Sequence, residues 1–174
     1  MVEDVFAVQF GISFAVYSLL VWWFVIPFLK RLPVRTAFIV LLLPHVVHHV
    51  GLATLVPSIV APEFPRYFAW IVSIGDTMVL VLALIAMNAL RTGSATASFL
   101  LWVFTVGGAI YNAVAFYNHF TLRPSVTGQL GAHWYVDTFY VPLLLLSHIL
   151  VCWNLVWRGA ELRRPALSLA TAER

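Results

Sequence analysis

Five long apolar runs, broken by short polar punctuation, organise this chain: residues 5–29, 36–60, 67–90, 96–120 and 134–158. At 1.5 Å of rise per residue each is long enough to cross a hydrocarbon core of about 30 Å. They are numbered helix one to helix five below. Polar residues inside the runs are few and recur at helical spacing. Gln9 and Ser13 align on helix one, His45, His48 and His49 on helix two, and Ser73 and Asp76 on helix three. Thr105, Gly108, Asn112 and His119 align on helix four, and His133, Asp137 and His148 on helix five. Each helix therefore carries one polar or small stripe on an otherwise oily surface. Stripes turned to lipid would cost several kcal/mol per unsatisfied group, so they are expected to face one another. The pattern predicts an all-α, polytopic integral membrane bundle of five transmembrane helices with a polar interior. Unbroken apolar runs exclude the alternation of a β-barrel.

Composition supports that class. The 174 residues are 62% hydrophobic and 10% charged, with a mean hydropathy of +0.94. A soluble domain is about a quarter charged, so this chain has too little polar surface to cover itself. The first run is too long for a cleaved signal and lacks a small-residue cleavage site after it, so it is kept as a helix. Connections are short ("RLPVR", "APEFPR", "RTGSATAS", "TLRPSVTGQLGA"), and no internal repeat is visible. Residues 1–160 read as a single transmembrane domain and 161–174 as a solvated cytoplasmic tail. The single cysteine, Cys152, lies inside a run and permits no internal disulfide. It reads as a small buried hydrophobe.

Charge sets the expected orientation. Lys30, Arg31, Arg35, Arg91, Arg158, Arg163, Arg164 and Arg174 fall on one side, and Arg66 and Arg123 on the other. The positive-inside rule then places the N-terminus outside and the C-terminus in the cytoplasm, in a bacterial-type plasma (inner) membrane. Trp134, Tyr135, Tyr67 and Trp70 are expected at the outer interface, Trp153 and Trp157 at the inner one. The formal charge of +3 reports this topology, not nucleic-acid binding. The lipid bilayer is the implied partner.

Candidate chemistry concentrates in "PHVVHHVG", residues 44–51. On an α-helix His45, His48 and His49 share an arc of about 100°. Depth counting puts His45 level with His148, slightly to the cytoplasmic side of the midplane. Asp76 and His49 fall slightly to the outer side, and His49 is the expected partner of Asp76. His119, His133, Asp137 and Glu63 gather at the outer rim. Two levels of ionisable groups are therefore expected, one at mid-depth and one at the rim.

A hydrogen-bond network that pins helices is the plainest account, at about 0.6–2 kcal/mol per bond. Four histidines and a carboxylate at matched depth exceed what pinning needs. One functional reading is a haem- or metal-binding membrane redox protein. His45 and His148, with His48 nearby, would hold haem b from facing helices, about 4 Å apart across one iron. Alternatively His45, His49, Asp76 and His148 would hold a first-row transition metal, two histidines and a carboxylate being the pattern of open iron sites. The rim set, His119, His133 and Asp137, is a weaker candidate of the same kind. A lone cysteine excludes a c-type haem attachment.

"HVVHH" resembles the HxxHH box of membrane fatty-acid desaturases and hydroxylases over those five residues. Those enzymes use several further boxes near the cytosolic face, whereas this chain has six histidines in all and its box at mid-depth. That chemistry is therefore not carried over. The alternative functional reading uses the same residues without a cofactor, as a small-molecule or proton transporter or an intramembrane isomerase working by His/Asp proton transfer. Pro44 and Pro142 leave the carbonyls of Val40 and Thr138 without their usual helical donors, and kinks there would open a cavity. The only lysine, Lys30, lies in a loop and excludes a retinal Schiff base. A small apolar ligand or a redox partner follows from one reading or the other.

Overall fold

A computed structural model describes residues 2–163. It is helical, and five helices are long and apolar enough to cross a membrane: Val5–Arg31, Val34–Leu55, Arg66–Arg91, Ala97–Leu122 and His133–Leu162. Helices one to five take these bounds from here on. Helix two ends earlier than expected because Pro57, Pro62 and Pro65 follow in close succession, and Ser58 adopts φ 83°. Of the expected tail, Gly159–Arg163 forms a 3₁₀ turn and Leu162 is buried in the core. Residues 164–174 lie outside the described residues.

Helix five packs on helices one, two and four, and helix three packs on helices two and four. The end holding residues 56–65 and 123–132 is called upper here. The lower half is solid. Phe38, Leu42, Val79, Leu101, Phe104 and Val151 are almost fully buried there. Helix three presents Val79, Ala83, Ala86 and Leu90 to it at intervals of three and four, a packing stripe of small residues that lets its neighbours approach closely. At the bottom, Arg158 donates to the carbonyls of Leu29 and Leu32 (3.2 and 3.0 Å), and Arg35 donates to that of Leu162 (3.2 Å). Two of the basic residues read as topology signals thus also bind carbonyls at helix ends.

Three helices depart from α geometry, each beside a proline. Helix one contains a π turn at Val21–Val25 just before Pro27. Helix five contains another at Val136–Tyr140 just before Pro142. There Val141 donates to the carbonyl of Val136 instead of the next one along. Widening the turn accommodates a ring that would otherwise strike the preceding carbonyl. Helix two is α over Val34–Leu42 and 3₁₀ over Leu43–Leu55. At about 2.0 Å of rise per 3₁₀ residue, its 22 residues reach about 40 Å, against about 33 Å as pure α-helix.

The aromatic residues expected at the membrane interfaces divide between the surface and the interior of the bundle. Trp70, Tyr67, Tyr135, Trp153 and Trp157 are exposed on the bundle surface. Trp134 instead turns inward, donating to Gln9 Oε1 (2.8 Å) and meeting Phe6 edge-on. Cys152 is half-buried.

Candidate functional site

The 3₁₀ segment decides which histidines enter the interior. Pro44 has no N–H to give, and the carbonyl of Val40 accepts from Leu43, one turn tighter than in an α-helix. Carbonyls at the transition are captured by helix five: Ser147 donates to Leu41 (2.5 Å) and the Tyr140 hydroxyl donates to Pro44. With three residues per turn, positions 45, 48, 51 and 54 stand in one column. His45, His48, Gly51 and Thr54 are the buried residues of the segment. His49, four places after His45, is rotated roughly 120° out of that column and is exposed. The expected arc of three histidines is thereby corrected to a pair, because the turn is tighter than the α-helix that the arc assumed.

Asp76 of helix three faces this column. Its nearest imidazole is that of His48, at 3.9 Å from Nδ1 to Oδ1, and not that of His49. Tyr111 of helix four donates to Asp76 Oδ1 at 2.6 Å. Beside them, Thr54 and Ser73 lie 3.2 Å apart and both donate to the carbonyl of Gly51. Tyr111 stands outside the polar positions that the sequence singles out on helix four, yet it is the residue that binds Asp76. Two signals were available: it lies three places after Gly108 on the polar stripe, and a buried tyrosine needs a partner for its hydroxyl. Two glycines make the arrangement possible. A Cβ at Gly51 would stand 1.9 Å from Asp76 Oδ2, and one at Gly75 would stand 2.0 Å from the Tyr111 ring.

The rim set converges on Asp137, which lies in the π turn of helix five. Its Oδ1 is 3.5 Å from His133 Nε2 and its Oδ2 is 3.9 Å from His119 Nδ1. Phe6 of helix one stacks on His119 with 5.0 Å between ring centroids. Glu63, expected in this group, is exposed in the loop and does not line the site, because the chain leaves helix two before that point.

One cavity of about 360 Å³ joins the two levels. His48, Asp76 and Tyr111 line its inner end, and His119, His133 and Asp137 line it nearer the top. Between them the wall is largely phenylalanine and aliphatic, including Phe10, Phe64, Phe68 and Phe116. This is the size and character of a small-molecule site: mostly apolar, with a few convergent polar groups.

His45 and His148 do meet at one level, 5.6 Å apart by ring centroid, but they do not line the cavity. Phe104 packs 4.9 Å from each ring and fills the space around them. His148 donates from Nε2 to the carbonyl of Thr105 at 2.8 Å, and a Cβ at Gly108 would stand 2.4 Å from its ring. His45 stands 5.2 Å from His48 by centroid and extends the imidazole row downward from the cavity. The space between His45 and His148 is thus a packed layer, and the cavity begins at His48, one 3₁₀ turn higher. Among the described residues no group of three His, Cys, Asp or Glu side chains is arranged to hold a metal ion.

Fold and site together define a five-helix bundle of membrane-type hydropathy with a polar-ended apolar cavity. The chain belongs to the family described as "Domain of unknown function (DUF8737)", which residues 5–156 match. That match takes in every residue of the cavity. No curated protein matches the chain, and no solved structure does.

Proposed function

We propose that this protein is an integral membrane isomerase that binds a small apolar molecule and shifts a double bond in it by proton transfer. The observation that carries this reading is one apolar cavity lined by two carboxylate–imidazole sets: Asp76 with His48 and Tyr111, and Asp137 with His133 and His119. A double-bond shift needs that equipment. One group gives a proton to the far alkene carbon, a second takes a proton from the allylic carbon attached to the other alkene carbon, the π bond moves between those two carbons, and the proton count is unchanged. Water-poor walls strengthen the interaction of each charged group with developing charge, and positioned acids and bases of this kind contribute about 10²–10⁴-fold to rate. The distribution of basic residues supports an N-terminus outside and a cytoplasmic C-terminus.

Membranes containing the protein, suspended in D₂O, test the reading. Mass spectrometry of the extracted lipids is expected to find deuterium at carbon in one lipid class, lost in Asp76→Asn and Asp137→Asn. Deuterium-free lipids with proton flux across reconstituted vesicles would favour the transporter instead. A Soret band or stoichiometric metal in the purified protein would move the histidines to a redox role and overturn the isomerase.

A further inference from the structure

The cavity is floored below and roofed over most of its top, and its exposed lining lies at one flank. Above it, the loops 56–65 and 123–132 are tied by backbone bonds, Ala61 to Gln129 (2.9 Å) and Ala132 to Ile59 (2.8 Å), with Phe64 and Leu130 buried beneath. Gly131 allows this contact: it takes φ 54°, and a Cβ there would stand 2.3 Å from the Ile59 carbonyl oxygen. Below, the cavity stops at the layer of Phe104, His45 and His148. Of the residues that line it, the exposed ones are Ala7, Phe120 and Arg123, on helix one and at the upper end of helix four.

Those two helices leave a gap. Helix one runs along helix five and meets helix four through the Phe6–His119 ring stack. Phe6 is held by aromatic contacts with His119, Trp134 and Phe10. Behind His119 stands Asp137. The gap is edged by Ala7 and Phe10 on one side and Ala115, Phe116 and Phe120 on the other, an apolar edge within the span of the helices with Arg123 at its upper corner.

We propose that the flank between helices one and four is a lateral mouth through which the hydrocarbon tail of a bilayer lipid enters the cavity, with Phe6 as its lid. The inference rests on the reading of this cavity as a substrate site and names the class of substrate: a lipophile drawn from the membrane itself. An apolar edge at membrane depth offers a tail a path without dehydration, whereas a polar solute would lose its water there without compensation. Turning the Phe6 ring away uncovers His119, and with it the Asp137 set, so lid movement and access to the proton-transfer groups are one event.

The test uses the full chain in phosphatidylcholine vesicles containing a phosphatidylcholine with a photoreactive diazirine in its acyl chain. After illumination, adducts are expected on the buried lining residues Phe68 and Leu144 as well as on outward residues such as Ile74 and Ile110. Ala7→Trp combined with Ala115→Trp plugs the mouth and is expected to cut the interior adducts at least five-fold while the outward ones persist, with an unchanged thermal transition in detergent showing that the variant is folded. Phe6→Ala, which removes the lid, is expected to raise the interior adducts. Interior positions unlabelled in the unmodified protein, or labelled equally in the plugged variant, would overturn the lateral mouth. Asp76→Asn is expected to keep the labelling pattern even where deuterium transfer is lost, so failure of the mouth and failure of the isomerase are separately visible.

Discussion

Asp76 illustrates how little of a residue's role is carried by its own identity. As an acid inside an apolar run it announces function, since an unpaired charge there is expensive. What it works with is decided by neighbours that have no charge. Gly51 leaves the space that its carboxylate occupies, and Gly75 leaves the space for the tyrosine that donates to it. A methyl group at Gly51 has no room, so Gly51→Ala is expected to destabilise the protein by about 1–3 kcal/mol, the usual range for overpacking. Gly11 on helix one is the control, because a Cβ there meets nothing within 4 Å. Gly11→Ala should stabilise by about 0.5–1 kcal/mol through chain entropy alone. Thermal unfolding in detergent measures both, and equal effects would remove the packing argument.

At the scale of the element, helix two carries the most consequence. Spacing on an α-helix groups His45, His48 and His49, whereas the 3₁₀ turn keeps the first two and expels the third. Substitution by tryptophan separates the two geometries. His49→Trp is expected to change stability by no more than about 0.5 kcal/mol, as at an ordinary surface position. His48→Trp overfills a buried column and should cost about 1–3 kcal/mol. Comparable costs at the two positions would mean that residues 43–55 are α-helical in the membrane. The π turn of helix five acts in the same way: it places Asp137 within reach of both His133 and His119. Pro44, Pro27 and Pro142 are plain in the sequence. The size of turn that each produces is not, because a proline states only which N–H is missing and not which group answers the freed carbonyl.

For the whole molecule, the charge asymmetry predicts direction. Alkaline phosphatase, active only when exported, is expected to be inactive when fused after Ser94 and active when fused after Thr127. The opposite pattern would invert the orientation inferred from the basic residues. The arginines behind that inference also tie helix ends together: Arg158 holds the end of helix one, and Arg35 holds the carbonyl of Leu162. The solid lower half and hollow upper half follow from composition along the helices. Ala83, Ala86 and Leu90 pack the bottom tightly, while phenylalanines and polar groups converge above without filling the space between them.

By itself the sequence determined the five helices, the polar stripes and the identity of most ionisable residues in the interior. These follow from run length and from helical spacing, which are local quantities, and from the cost of turning polar groups to lipid. It also paired His133 with Asp137 correctly in reach, because i and i+4 are neighbours on any helix close to α geometry. Only the tertiary structure decided that His48 and not His49 meets Asp76, that Tyr111 belongs to the site, and that the two levels share one cavity. The physical reason is long-range hydrogen bonding. The transition in helix two is answered by Ser147 and Tyr140, 106 and 96 residues away from the carbonyls that they satisfy, and no window of sequence around "PHVVHHVG" contains them.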